Sequence, residues 1–478
     1  MSKMISVASG FQYSVNIGYD LSSDEKLKNF IPTKSALNLL EEILLSTADS
    51  STERSRVLIG AYGKGKSHIV LTILSILLKR DLSLFEKMLP KLEEHTKIKQ
   101  CVLNYYESAN KILPVVITGS NTSLSQAFLL ALQRTLSDND LLDVMPETNY
   151  KAAISVIERW KEEFPDTYRS FEAAIDTPVS VFVNDLAAYS ITAYEQFERV
   201  YPTLTAGSVF NPFLGFDVVE LYESVARELR GKGYTGLYVV YDEFSKYLEA
   251  NITEASLSDT KMLQDFAEKC NRSGSLQLHL MLISHKEIAN YIDKLPKQKL
   301  DGWRGVSERF KHIHLNNNFS QTYEIISSVI QKKKSLWEEF LTAYKDDFCD
   351  IAQRYTSHPL FMESNDELKM ALYGCYPLHP VSTFILPRLS ERVAQNERTL
   401  FTFLSASGTS TLPSYLERSK DGFEFITPDV IYDYFEPLFK KEVYAGEIHQ
   451  NYILTANILS RIEKSSLEAK IVKTLSLF

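Results

Sequence analysis

Two kinds of apolar pattern alternate along the chain. The runs "RVLIG" at 56–60, "ILPVVITGS" at 112–120, "LYVVYDEF" at 237–244 and "LQLHLMLIS" at 276–284 are short and rich in β-branched or aromatic residues. Runs of this kind, bounded by polar or glycine-containing stretches, predict strands buried in a sheet. Between them the apolar positions recur at helical spacing. "IPTKSALNLLEEILLST" at 31–47 lines up Leu37, Leu39, Leu40, Ile43 and Leu44. "KSHIVLTILSILLKR" at 66–80 predicts a largely apolar helix whose basic end suits the helix dipole. "NTSLSQAFLLALQRTL" at 121–136 predicts another, with Asn121 or Thr122 as its cap. A helix through Leu229, the turn "RGKGYTG" and a helix around 259–270 frame the last two strand runs, and "DGWRGVSERFKHIHL" at 301–315 ends strand-like.

The alternation stops near 319, and "QTYEIISSVIQKKKSLWEEFLTAY" and "TPDVIYDYFEPLFKKEV" continue the chain with helical patterns. An α/β region followed by a helical one is the expected organisation. We divide it into an N-terminal segment and helix (1–50), an α/β domain (51–318) with a helical insertion around 139–210, and a mainly α-helical C-terminal domain (319–478). The closing "AKIVKTLSLF" carries no Gly or Pro stop, so the pattern is expected to run on into a longer protein.

Composition narrows the class. Of 478 residues, 44% are hydrophobic and 24% charged, values of a folded chain rather than a disordered one. A formal charge of −9 argues against wrapping nucleic acid over the whole surface and leaves a local basic channel open. The densest basic run, "QKKKS" at 331–335, reads as a solvated helix face. Cys101, Cys270, Cys349 and Cys375 lie too far apart in sequence for a CxxC metal module or a disulfide scaffold. No apolar stretch has the length of a membrane span, and a cytoplasmic protein with no membrane partner is expected.

The chemistry centres on "GAYGKGKSH". Residues Gly60 to Ser67 fit the phosphate-binding pattern G-x-x-x-x-G-K-[ST], with a strand run before and a helical run after. Gly60, Gly63 and Gly65 would let backbone N–H groups approach phosphate oxygens. Lys66 would bridge the β- and γ-phosphates, Ser67 would hold Mg²⁺, and the helix would direct its positive end at the nucleotide. Tyr62, Lys64 and His68 are the remaining candidate neighbours of the bound ATP. The motif also predicts an acid at the end of a neighbouring strand, and "LYVVYDEF" supplies two about 175 residues later. Asp242 would bind Mg²⁺ and Glu243 would orient or deprotonate the attacking water.

"LMLISHKE" places Ser284 and His285 at the end of the following strand, where a polar residue can touch the γ-phosphate. Arg304 and Arg309 are candidates for stabilising transition-state charge, from this chain or a neighbour's, with Arg388, Arg392 and Arg398 further along. His379, between Pro377 and Pro380, reads as a structural turn histidine.

"GAYGKGKSH", "VVYDEFSKYLEA" and "YPLHPVSTFILPRLSERVAQNERTLFTFLS" at 376–405 together resemble the large P-loop ATPases of bacterial phage-defence islands, the BrxC/PglY-like proteins of BREX systems, related to AAA+ and STAND ATPases. The resemblance spans about residues 10–410 and implies a P-loop NTPase sheet, ATP hydrolysis coupled to conformational change, and assembly into homo-oligomers. It further implies partner defence proteins and work on or near DNA. The long interval between the two motifs departs from a compact AAA+ core, and no nuclease, methylase or helicase motif accompanies it. The same P-loop would also serve a slow-turnover, nucleotide-gated switch or scaffold, or a DNA-stimulated motor.

Overall fold

The computed structural model describes residues 1–8, 15–60, 65–119, 123–144, 148–188, 190–210, 217–252, 257–292, 295–315, 319–361, 365–394, 398–419, 422–441 and 446–478. It is 66% helical, with a five-stranded parallel sheet. The strands are β1 (Ile5–Val7), β2 (Ser55–Ile59), β3 (Ile112–Ile117), β4 (Gly236–Tyr241), β5 (Gln277–Ser284), β6 (Lys311–His314) and β7 (Ile330–Lys332). The large sheet has the order β3-β4-β5-β2-β6, so β5 lies between β2 and β4.

Every residue of β2, β4 and β5 is buried, because helices cover both faces. Val57, Ile59, Val239, Tyr241, Leu280 and Leu282 face the helices Leu124–Asp138, Val218–Glu228 and Leu257–Asn271. Leu58, Tyr238, Val240, Met281 and Ile283 face Lys34–Leu45, Lys66–Leu77 and Thr96–Glu107. Side chains alternate across a strand, so a strand covered on both sides is mostly apolar along its length, with Arg56, Gln277 and His279 as buried exceptions; this explains the nearly continuous runs. Leading into β2, the buried Arg54 donates to the carbonyls of Ser46 (3.1 Å) and Ala48 (2.7 Å) and to Gly274 (2.6 Å). These bonds tie the end of the helix Lys34–Leu45 to the sheet's N-terminal edge.

The insertion helices Thr148–Glu163, Pro165–Ala174, Val179–Ala187 and Ile191–Leu204 enclose a separate core around Trp160, Phe171, Phe182 and Phe197. The helical block has another, aromatic-rich core that includes Tyr323, Phe348, Tyr376 and Phe435.

The first residues of the N-terminal segment join the helical block: β1 pairs antiparallel with β7, and Met1, Met4 and Ile5 enter its core. One expectation is corrected here, for the basic run at 331–335 is not one helix face, since Lys332 ends β7, Lys333 is the N-cap and the helix begins at Lys334. The expected caps Asn121 and Thr122 lie outside the described residues, and Ser123 caps that helix by accepting the Gln126 N–H at 3.3 Å.

Candidate functional site

Parallel strands bring all their C-terminal ends to one edge, the place where open α/β sheets bind ligands. The register sets Ile59 beside Ser284 and Tyr241 beside Ile117. Just past the strands the ladder continues, with the Gly60 N–H donating to Ser284 O at 3.2 Å and the Asp242 N–H to Ile117 O at 3.0 Å. Gly60, Asp242 and His285 therefore leave the sheet on the same edge.

Residues 61–64 lie outside the described residues, and with them Tyr62, Gly63 and Lys64. Gly65 has φ +74° and stands at the N-cap of the helix Lys66–Leu77. Among the described residues nothing lies within 4 Å of where a Cβ would be, and the left-handed backbone by itself favours glycine here. Lys66 is buried, 6% exposed. Its ammonium donates to the Gly60 carbonyl and to His285 Nδ1, the latter at 3.2 Å. Burial, followed by the charge of Lys66, pushes the His285 pKa down to about 4, against the opposing Gly60 backbone and Glu243. His285 is therefore neutral near pH 7 and accepts through Nδ1.

Ser67 lies in the first helical turn, and its hydroxyl makes no hydrogen bond among the described residues. His68 turns away from the strand ends: Nε2–H donates to Lys26 O at 2.7 Å and the ring meets Phe30 edge-on. Burial holds its pKa below the usual value.

Asp242 is 6% exposed, and its pKa is raised to about 6, mainly by burial and then by Glu243. The Glu243 and Ile17 backbone N–H groups and Lys66 act in the opposite direction. The next residue carries backbone strain. Glu243 has φ +58° and ψ +35°, a left-handed conformation unusual for a glutamate and found preferentially at functional sites. Its half-exposed carboxylate pairs with Lys246 at 2.7 Å. Ser245 closes the arrangement from the helix Phe244–Asn251, receiving the His285 N–H at 2.7 Å and donating to Ser284 Oγ at 3.3 Å.

Other candidates are engaged elsewhere. Ser284 is fully buried, and its hydroxyl donates to Lys286 O at 2.6 Å, so it braces the strand end while His285 reaches Lys66. Arg309 precedes β6, and its carbonyl accepts the hydroxyl of Ser55, the first residue of β2; this places it at the opposite edge of the sheet. Its guanidinium pairs with Glu268 at 2.7 Å and donates to Gly305 O at 2.7 Å, which keeps it out of this chain's own site. Arg304 is exposed on the helix Lys297–Arg309.

Arg388 donates to Tyr323 Oη at 2.9 Å, its guanidinium 3.8 Å from the centre of the Phe319 ring and 3.5 Å from that of Phe384. Arg392 is exposed, and the Arg398 side chain lies outside the described ones. His379 packs edge-on against Tyr355 and Phe425.

Sequence reasoning missed Ile17 and Ser245. Ile17 acts through its backbone, which carries no signal in residue type, and Ser245 lay in view three positions after Asp242 but has the composition of any helix start.

Among the described residues no group of three or more His, Cys, Asp or Glu could hold a metal, and no helix is long and apolar enough to cross a membrane. Compared with known proteins, the chain matches no protein-family model and no curated protein.

Proposed function

We propose that the chain is a Mg²⁺-dependent P-loop ATPase, and that Gly60 to Ser67 with Asp242, Glu243 and His285 form its site. The observation that carries this reading is the convergence, on one sheet edge, of a buried lysine, a buried carboxylate and a glutamate in a strained conformation. The placement of β5 between β2, which precedes Lys66, and β4, which precedes Asp242, supports a site of the additional-strand kind. The residues fit the cofactor: Mg²⁺ typically takes one or two protein ligands and completes its shell with phosphate oxygens and water. The Asp242 carboxylate and the Ser67 hydroxyl would hold it, and it would neutralise charge on the triphosphate.

The chain's own residues supply the rest. Lys66 would leave the Gly60 carbonyl for phosphate oxygens, trading one acceptor for a stronger, charged one. His285, neutral and beside Lys66, would follow the γ-phosphate and transmit its presence through Ser245 to the helix behind Asp242. Glu243 would turn from Lys246 to the attacking water and accept its proton.

A slow-turnover switch has one observation in its favour, the Glu243–Lys246 pair, which holds the base away from its task. The defence-complex role, with homo-oligomers, partner proteins or DNA, rests on the motif resemblance and belongs to this proposal. Steady-state ATP hydrolysis by the full chain, with and without double-stranded DNA and beside Lys66→Ala and Glu243→Gln, tests it. Turnover that both substitutions abolish supports the ATPase, and DNA stimulation places it on nucleic acid. Tight ATP binding with background hydrolysis supports the switch; robust turnover by Glu243→Gln would sink the catalytic assignment.

A further inference from the structure

The "QKKKS" run is not a solvated helix face, and its first lysine occupies an unusual position. Lys332 is the last residue of β7, and its ammonium turns inward to donate to the Gly374 carbonyl, 5.2 Å from the centre of the Trp337 ring. Among the described residues no carboxylate lies within ion-pair distance of it. Burial pushes its pKa down to about 8. Two titratable neighbours do not compensate: burial pushes the Cys375 thiol up to about 12 and raises Tyr373, which also lines the cavity, so both are neutral near pH 7. A half-buried cation that, among the described residues, has one carbonyl and one ring beside it is under-compensated.

This lysine lines an open-mouthed cavity of about 690 Å³, together with Ser6, Ser327, Gln331, Lys333 and Trp337. That volume is in the range of small-molecule sites. No carboxylate lines it, and its side chains offer the hydroxyls of Ser6, Ser327 and Tyr373, the Gln331 amide, the Trp337 indole N–H and two ammonium groups. None of Ser6, Ser327, Gln331 or Lys333 makes a side-chain hydrogen bond among the described residues. Lys333 is also the N-cap of the ten-residue helix Lys334–Ala343, which has no side-chain cap, so the helix adds its positive end at the rim.

We propose that this cavity is a second anion site, distinct from the P-loop, for a phosphate group carried by a small molecule. Lys332 provides the inner charge, Lys333 the outer one, and Ser6, Ser327 and Gln331 the neutral donors. A phosphate suits this set better than a carboxylate because three or more oxygens can share five donor groups. The inference does not depend on the ATPase reading.

The test uses the full chain with its lysines dimethylated by ¹³C-formaldehyde, the Lys332 signal being identified by its loss in Lys332→Met. Inorganic phosphate and glucose 6-phosphate are titrated at pH 7.5 into wild type, Lys66→Ala and Lys333→Gln. The expected result is a saturable shift of the Lys332 signal that survives Lys66→Ala and weakens severalfold in Lys333→Gln. Lys332→Met, which removes a half-buried charge that has no carboxylate partner among the described residues and should fold, is expected to lose affinity for the tighter probe about tenfold or more in equilibrium dialysis. Tighter binding of glucose 6-phosphate assigns the site to a phosphate ester, and equal binding assigns it to free phosphate. A Lys332 signal that neither probe moves at millimolar concentration, or a shift abolished by Lys66→Ala, overturns the proposal.

Discussion

The sheet domain and the helical block each hold a lysine whose ammonium donates to a glycine carbonyl, Lys66 to Gly60 and Lys332 to Gly374. Lys66 follows a strand of the central parallel sheet, beside a neutral histidine and near two carboxylates. Lys332 ends a strand of the small antiparallel pair, in a cavity that no carboxylate lines. The contrast shows what surrounds an inward-turned charge in each place. Lys66 has the Asp242 carboxylate within electrostatic reach, while among the described residues Lys332 has a ring, a carbonyl and an open cavity beside it.

The largest effect that would sharpen the contrast is on turnover. Lys66→Ala is expected to lower ATP hydrolysis by about 10²–10³-fold, the usual loss when one preorganised charge is removed from a transition state. Lys332→Met should leave basal hydrolysis within about twofold, measured in the same steady-state assay. Equal loss in both would break the distinction between the two lysines.

Stability follows. The folded pKa of Asp242 is raised, so its contribution is present at low pH and is lost as pH rises through about 6. At pH 7.5 the buried carboxylate therefore destabilises the nucleotide-free protein. Asp242→Asn should raise unfolding stability by on the order of 1–3 kcal/mol in urea without Mg²⁺, while reducing hydrolysis. A destabilised variant would mean that the carboxylate's hydrogen bonds outweigh its burial.

Lys332 gives a smaller effect in a different pH window. Its folded pKa is depressed to about 8 from 10.5, so the unfolded chain binds more protons across that interval. Stability should rise with pH there, and in Lys332→Met that part of the slope should vanish, with a gain near pH 7.5 on the order of 1 kcal/mol for this solvent-connected group. Urea midpoints measured at half-unit steps would show it. Smallest of all is Arg309→Ala. Loss of its solvent-screened pair with Glu268 is expected to lower the urea midpoint only slightly and to leave single-chain hydrolysis unchanged. A large fall in turnover that is restored by mixing with a Lys66→Ala chain would instead mean that Arg309 serves a neighbouring copy.

Much of the sheet was legible because each of its long strands carries its own evidence. The runs at 56–60, 112–120, 237–244 and 276–284 match β2 to β5 to within a residue at their starts, for the physical reason that a strand buried on both faces is mostly apolar along its length. β1 and β7 were not legible. Three-residue strands have too few positions to show a period, and each exists because the other pairs with it. The candidate site divides similarly. Lys66 and Asp242 announce themselves through local spacing and strand ends, whereas the choice between Ser284 and His285 depends on which side chain turns to Lys66.

By itself the sequence determined where the long strands β2 to β5 and the helices beside them fall and which loop carries the glycines and lysine of the G-x-x-x-x-G-K-[ST] pattern, since propensity, periodicity and motif spacing act within a few residues. Only the tertiary structure decided the rest. It inserted β5 between β2 and β4, set His285 against Lys66 across 219 positions, and turned Lys332 inward to a carbonyl 42 positions away. Those outcomes depend on burial and on contacts between distant segments, and no local pattern encodes how far a charge will be desolvated or what will stand beside it.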